Sequence, residues 1–323
     1  TRRSARSPDR RRETRVSIVK PGRGKMSESS KSDDVVAVPL RHPWRWVSAT
    51  LIVLVLGMFI YSLYASPNIN HDIVNKYIFN GKVIAAAWLT VVLTVVSMLI
   101  GTILAIILAV MKLSANPVLK MVATGYIGFF RGTPLLLQVV FWGYLGIIYP
   151  TIDVGIPFTD IIWWSEKTSL VFTSLVAGII ALSLNEAAYA AEIVRAGILS
   201  VDQGQAEAAK SLGMGSGYTL RRIVLPQAMR VIIPPLGNEF ISMLKNTSLL
   251  QVVAVMELYA RTSQISSQNL AQVELLVVAG FWYLVMTTIL SFPQSWLEKK
   301  YGRGFSVVNE KARWMRIGMK GNV

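Results

Sequence analysis

The amino-acid sequence predicts an all-α membrane protein that crosses the bilayer about six times. Of its 323 residues, 53% are hydrophobic and only 16% are charged, whereas soluble domains usually carry about 25% charged residues. Apolar runs of about 18 residues or more are long enough to span a bilayer, and this chain has several. The predicted spans cover residues 47–65, 83–111, 122–149, 168–185, 231–256 and 275–297.

The first two runs are the clearest. Residues 47–65 carry no charge. Trp44 and Trp46 stand at the start of this run, and Tyr61 and Tyr64 lie near its end. Aromatic side chains favour the two membrane interfaces, so this pattern is typical of a transmembrane helix. The second run is longer than a bilayer requires and is expected to cross it with tilt.

Two later runs contain polar residues. Arg131, Gly132 and Pro134 interrupt the third run, and Glu239 and Lys245 lie inside the fifth, which is therefore the weakest. Charged groups inside a membrane are costly and usually functional. We therefore expect the third span to be a broken helix and the fifth to contribute polar groups to a pathway or to a helix contact.

Charge sets the expected orientation, because six spans place both tails on one side. Residues 1–46 and 298–323 are rich in Arg and Lys, whereas the loop 150–167 carries Asp153, Asp160 and Glu166 against a single Lys. Basic segments stay in the cytoplasm. Both tails are therefore predicted to be cytoplasmic and the acidic loop external. The polar segment between the fourth and fifth spans is then cytoplasmic as well.

The N-terminal 45 residues lack apolar periodicity and are rich in Arg, Ser and Asp. Such composition predicts a disordered tail. Met26 opens the stretch MSESSKSDD and is the expected translation start. Finding residues 1–25 in the intact mass of the natural protein would contradict that expectation.

Composition also argues against several functions. The net charge of +15 is concentrated in two tails that flank apolar spans, which favours contact with the lipid bilayer over nucleic acid. The chain has no Cys and only two His, so no metal site is expected. It also lacks the phosphate-binding pattern G-x4-G-K-[ST]. No catalytic residues and no bound cofactor are predicted, and any energy must come from another subunit.

One cytoplasmic segment carries a specific motif. Residues 204–228 read GQAEAAKSLGMGSGYTLRRIVLPQA. They contain Glu-Ala-Ala, then Gly after three residues, then Ile-x-Leu-Pro after nine more. This spacing resembles the EAA loop of permease subunits of binding-protein-dependent ABC importers. The residues assigned to it are Gly204, Gln205, Glu207, Ala208, Ala209, Leu212, Gly213, Ile223, Leu225 and Pro226.

The residues of this loop suggest how it works. Ala and Glu around Ala208 favour a short helix, Gly213 suits a left-handed stop, and Pro226 is expected to end a second segment. The resemblance implies that the short helix docks on an ATPase subunit, a homodimer that holds ATP and Mg²⁺. It also implies a second permease chain, identical or related, and an extracytoplasmic amino-acid-binding protein.

The resemblance extends over about residues 80–297. FRGTPLLLQ, LNEAAYAAEIVRAGILSVDQGQAEAA, PQAMRVIIPPLGNEF and LKNTSLL look like the permeases of importers for polar amino acids, relatives of histidine and glutamine permeases. That family commonly has five core spans. The domains expected are therefore a basic tail (1–45), an added helix with an outer loop (46–82), the importer domain (83–297) and a second basic tail (298–323).

Polar residues in or near the spans are candidates for the translocation pathway. For several of them a structural role is an alternative: Arg131 could snorkel to the cytoplasmic edge, Asn238 and Glu239 could bond a neighbouring helix, and Lys245 could pair with Glu239. A local ion pair is expected between Glu192 and Arg195, three residues apart. The pathway candidates are Arg131, Thr133, Gln138, Asn185, Glu186, Asn238, Glu239, Lys245 and Asn246.

The sequence therefore predicts a multi-pass cell-membrane permease that couples ATP hydrolysis on another subunit to alternating-access uptake. A secondary transporter or channel is the main alternative, and it should show an inverted repeat with paired broken helices. A membrane-embedded enzyme would need a clustered acid–base or metal set. Neither pattern is evident in the sequence.

Overall fold

The computed structural model describes residues 43–301 except 157, 158 and 160. The chain divides into two units, Thr1–Ser62 and Leu63–Val323, which are described separately. The first unit contributes most of helix α1 (Pro43–Tyr64), whose apolar stretch includes the predicted first span. The predicted tail regions lie almost wholly outside the described residues.

The described part of the second unit is mostly helical. A π-helical turn (Leu220–Val224) precedes α11, and a 3-10 helix (Thr247–Val253) follows it. The helices are α2 (His71–Ile78), α3 (Gly81–Leu113), α4 (Pro117–Gly132), α5 (Leu135–Gly143), α6 (Leu145–Ile148), α7 (Thr168–Val171), α8 (Ser174–Leu199), α9 (Gln203–Ser211), α10 (Ser216–Thr219), α11 (Leu225–Asn246), α12 (Leu258–Asn269) and α13 (Gln272–Tyr301).

Within the described residues, three helices are long and apolar enough to cross a membrane: α3, α8 and α13. They include the second and sixth predicted spans and most of the fourth. The interruption expected in the third span is confirmed, because α4 ends at Gly132 and α5 begins at Leu135. Pro134 lies between them, where its missing amide costs no helical hydrogen bond.

Three expectations need correction, and one helix was not predicted. α8 continues to Leu199, so Glu186 lies in the middle of a buried helix and not at the end of a span. Pro226 opens α11 and does not end a segment, because proline is well tolerated in the first turn of a helix. The α-helix of the fifth span ends at Asn246, before the 3-10 helix. α12 follows with no preceding prediction, since its sequence is too polar to read as a span.

The all-α prediction also missed a small sheet in the loop 150–167. Strands β1 (Thr151–Gly155) and β2 (Ile162–Lys167) pair antiparallel. Val154 faces Trp164 across the ladder, and an irregularity follows before Gly155 pairs with Ile162. Isoleucine and tryptophan favour strands, so this hairpin was visible in the residue types of β2.

α8 lies at the centre of the second unit, between α3, α5 and α11. Its buried face is built from small side chains, which let helix backbones approach closely. A Cβ at Gly101 of α3 would lie 2.9 Å from the Cβ of Glu186, so only glycine fits at this crossing. The small buried residues of α8 are Ala177, Gly178, Ala181, Ala187, Ala188, Ala190, Ala191 and Gly197.

Candidate coupling loop and translocation site

The coupling segment begins with α9, a helix of nine residues. The carboxylate of Asp202 accepts a hydrogen bond from the backbone N–H of Gly204 at 2.7 Å, which caps the helix. Gly213 follows the helix with φ +78°, the left-handed conformation expected of it. The backbone N–H of Gly213 donates to the carbonyl of Lys210 at 2.9 Å. The predicted short helix and its glycine stop are therefore both present.

α9 presents most of its motif residues outward. Gly204, Gln205, Glu207 and Ala208 are exposed, and the side chain of Leu212 is 83% exposed. Ala209 is the buried member and faces the rest of the chain. A large exposed leucine beside small alanines is a surface that another protein can cover.

The rest of the motif connects this helix to α11. Residues 212–215 form a short turn after α9, and α10, the π-helical turn and α11 then follow one another without an intervening loop. Ile223 and Leu225 are half-buried along this connection, and Pro226 lies in the first turn of α11. A displacement of α9 can therefore be passed to α11 through this short turn and the helical backbone that follows it.

A network of amide side chains closes the break between α4 and α5. Gln138 donates through Nε2 to the carbonyls of Phe130 (3.0 Å) and Thr133 (3.1 Å) and to Oγ1 of Thr133 (2.8 Å). Asn185 of α8 donates to the carbonyl of Phe130 and to Oε1 of Gln138, both at 3.1 Å. These bonds satisfy carbonyls that the break leaves without a helical partner, as an apolar environment demands.

Charged pathway candidates gather near this break. Arg131 places its guanidinium 5.2 Å from the ring centroid of Tyr189, a cation–π contact. Glu239 of α11 lies within electrostatic range of both Arg131 and Glu186. The side chain of Glu186 is 4% exposed, and its Oε1 has no hydrogen-bond partner in the part of the chain described. Four candidates from four helices are thus near one another: Arg131, Gln138, Glu186 and Glu239.

The candidates at the end of α11 are separate from this group. Lys245 is six residues from Glu239, about 9 Å along the helix. The ion pairs among the described residues involve only Glu192, so Lys245 is not paired with Glu239. Lys245 and Asn238 are exposed, and Asn246 is half-buried.

The expected pair between Glu192 and Arg195 is confirmed, with Arg195 Nη2 at 2.8 Å from Oε2. Lys112 also binds this carboxylate, through Oε1. Lys112 lies 80 residues away in sequence, at the end of α3, and no local pattern indicated it. The result is a three-charge link between the ends of α3 and α8.

Known proteins resemble this arrangement over most of the chain. Residues 101–303 match the family described as binding-protein-dependent transport system inner membrane component. The arginine transport system permease protein ArgU of Corynebacterium glutamicum is 46% identical over 284 residues, covering 87% of each chain. The L-cystine transport system permease protein TcyB of Bacillus subtilis is 39% identical, covering 66% of this chain and 84% of its own.

The chain belongs to this permease family. A solved structure described as an amino acid ABC transporter with histidines agrees in fold, with a TM-score of 0.57 and 35% identity. The structural match covers 68% of this chain and 94% of the solved chain. The permease is thus the membrane component of an ABC importer. The family match over residues 101–303 covers the C-terminal part of α3 and all of α4 through α13, so the coupling segment and the pathway candidates all lie in the family domain.

Proposed function

We propose that this permease carries polar amino acids and is driven by a homodimeric ATPase that docks on α9. The observation that carries the coupling proposal is an exposed motif helix that one short turn links to the helical segment running into α11, which holds pathway candidates. Two relatives named as permeases for arginine and for L-cystine support an amino acid as the substrate. ATP and Mg²⁺ belong to the ATPase in this scheme.

The arrangement of charges favours an amino acid with a cationic side chain. Glu186 and Glu239 supply two carboxylates close together in the bundle against the single cation of this group, Arg131. The side chain of Glu186 is nearly inaccessible to solvent. A guanidinium or ammonium group would provide hydrogen-bond donors for the unpartnered oxygen of Glu186. Burying a charge is favourable only when it is paired in this way.

The complete importer needs two further protein partners. A second permease, identical or related, would face this chain across a shared pathway, because the pathway candidates here do not enclose a channel alone. An extracytoplasmic amino-acid-binding protein would dock on the external side, where the hairpin β1–β2 lies. Both termini are then cytoplasmic, and the lipid bilayer surrounds the helices.

Transport by the reconstituted complex tests the substrate. Proteoliposomes containing permease and ATPase, with the binding protein added outside, should accumulate radiolabelled arginine, lysine or histidine only when ATP is enclosed. Glutamine and cystine extend the panel to uncharged side chains. ATP-independent accumulation would contradict the importer mechanism. Strong uptake of uncharged amino acids alone would contradict the role given to Glu186 and Glu239.

Replacing Glu207 by lysine tests the docking surface. Glu207→Lys reverses a charge on the exposed face of α9, so the ATPase should no longer co-purify and uptake should fall by about tenfold or more, since truncating a buried interfacial charge costs at least 2 kcal/mol. Gln268→Lys adds the same side chain at an exposed position of α12, outside the coupling segment, and should have little effect. Normal uptake in Glu207→Lys would reject the coupling role of this helix.

A further inference from the structure

α11 contains two consecutive prolines, Pro234 and Pro235, within its helical stretch. Proline has no backbone N–H, so the carbonyls of Arg230 and Val231 lose their usual helical partners. The helix is therefore weakest at this point. We call Pro234 and Pro235 the proline joint.

The joint separates two halves of α11 with different duties. The first half continues α10 and the π-helical turn without a break. It packs closely against α8. A Cβ at Gly197 of α8 would lie 2.3 Å from Ile232 Cγ1 and 3.3 Å from the carbonyl of Ala228. The second half carries the pathway candidates Asn238 to Asn246. A contact that fixes the proline joint would therefore determine how movement of the first half of α11 is passed to the second half.

Gln294 of α13 makes the contact across this joint. Its Nε2 donates to the carbonyl of Pro234 at 2.8 Å and to Oε1 of Glu298 at 2.9 Å. The side chain is only 6% exposed. The bond to Pro234 joins residues 60 apart in sequence, and it ends on the backbone of the joint itself.

Gly237 makes this contact possible. A Cβ at Gly237 would lie 1.5 Å from Oε1 of Gln294, so any larger residue would push the amide away. The φ of Gly237 is not in the left-handed region, so glycine is needed here for space and not for backbone conformation. The missing side chain at Gly237 thus leaves space on α11 for the amide of Gln294.

The surroundings leave the contact free to change. An apolar cleft of about 430 Å³ lies beside it, between α3, α11 and α13, with Met98, Phe240 and Leu290 in its wall. Oε1 of Gln294 has no hydrogen-bond partner among the described residues. The amide of Gln294 is therefore held only by the two hydrogen bonds that its nitrogen donates. The cleft beside it offers space into which the side chain could move.

We propose that Gln294 is a positioning residue for transport, which fixes the proline joint so that movement of the coupling loop is passed to the pathway half of α11. This inference rests on the proposed coupling function. Without the bond to Pro234, the two halves of α11 would move independently, and ATP hydrolysis would continue without proportionate uptake. The quantity that changes is therefore the number of substrate molecules imported per ATP.

Two single variants remove the contact in different ways. Gln294→Ala deletes the amide, whereas Gly237→Ala leaves it in the chain but displaces it. In the reconstituted complex with binding protein, each should lower the import per ATP by about fivefold or more, a typical size for coupling between sites, while ATPase activity persists. The double variant should be no worse than either single variant, because both act on one contact.

Gly280→Ala is the matched control. It adds the same methyl group to α13 at a glycine with no atom within 4 Å of a new Cβ, so import per ATP should stay at the wild-type value. Measuring the wild-type complex in the same vesicles distinguishes failure of the proposed importer function from failure of the role given to Gln294. If it shows no ATP-dependent uptake, the proposed function fails.

Two results would overturn the role of Gln294 itself. One is wild-type import per ATP in Gln294→Ala, with or without lower protein yield, since lower yield alone indicates only a structural contact; an equal loss of ATPase activity and uptake counts as this result, because their ratio is unchanged. The other is a double variant whose defect is the product of the two single defects, because independent sites multiply.

Discussion

Two buried carboxylates in this permease have opposite surroundings. Glu257, which caps α12, is 0% exposed, and Glu186 in α8 is 4% exposed. Both oxygens of Glu257 are used, whereas Oε1 of Glu186 has no hydrogen-bond partner in the part of the chain that the structure describes. The donors to Glu257 are the backbone N–H groups of Tyr259 (3.1 Å) and Ala260 (2.7 Å), Tyr283 Oη (2.8 Å) and Thr90 Oγ1 (3.4 Å).

The difference separates a structural carboxylate from a functional candidate. Glu257 joins α3, α12 and α13 through one fully bonded group, as buried polar networks must be to stabilise a fold. An unpaired buried acceptor lowers stability, so Glu186 contributes nothing comparable to the fold in this conformation. Its retention is explained if a partner arrives during transport.

Glu257→Ala should be the most damaging change. It leaves the Tyr283 hydroxyl and two backbone N–H groups without their acceptor, and each unsatisfied buried group costs about 1–3 kcal/mol. We expect a loss of about 3 kcal/mol or more in unfolding free energy. Thermal unfolding of the purified permease in detergent would measure it. A midpoint equal to that of the wild type would show that Glu257 is not a structural centre.

Thr90→Val should cost less, by about 1–2 kcal/mol. The variant keeps the shape of the side chain but removes one donor to Glu257 and the acceptor for the backbone N–H of Leu258, which bonds Thr90 Oγ1 at 3.1 Å. Combined with Glu257→Ala it should be less than additive, because the two residues share one network. Full additivity in the same unfolding assay would mean that Thr90 acts elsewhere.

Lys112→Met tests a third carboxylate, Glu192, which is partly exposed at the end of α8. Removing one of its two cations should cost less than about 1 kcal/mol, because partly exposed ion pairs are screened by solvent. The loss should shrink further at high salt. A loss of unfolding free energy greater than about 1 kcal/mol that does not change with salt would show that the Lys112–Glu192 pair behaves as a buried ion pair.

Glu186→Gln should change stability least and transport most. The substitution keeps the size of the side chain and replaces a buried ionisable group whose Oε1 has no described hydrogen-bond partner, so the unfolding midpoint should stay equal or rise slightly. Uptake of a cationic amino acid should nevertheless fall by about tenfold or more, the loss expected when a charged hydrogen bond is removed. If unfolding is strongly destabilised while uptake per folded molecule is unchanged, the contrast with Glu257 is wrong.

Structural features that depend on residues close together in the sequence were predictable. The apolar runs that become α3 and α13, the break at Pro134 and the left-handed Gly213 each depend on a few neighbouring residues, and the structure has all of them. The motif of α9 was likewise recognisable from spacing. Errors fell where two signals overlapped, as in α8, whose Ala-rich, partly charged end continues the helix beyond residue 185, the predicted end of the span.

By itself, the sequence determined which segments could leave water and where the chain would turn, because hydrophobicity and backbone preference act locally. Only the tertiary structure decided which polar group meets which. Gln138 and Asn185 bond across 47 residues, Lys112 and Glu192 across 80, and Thr90 and Glu257 across 167. Such partners are chosen by helix packing, in which a glycine such as Gly101 or Gly237 sets how closely two backbones approach, and no periodicity along the chain records that choice.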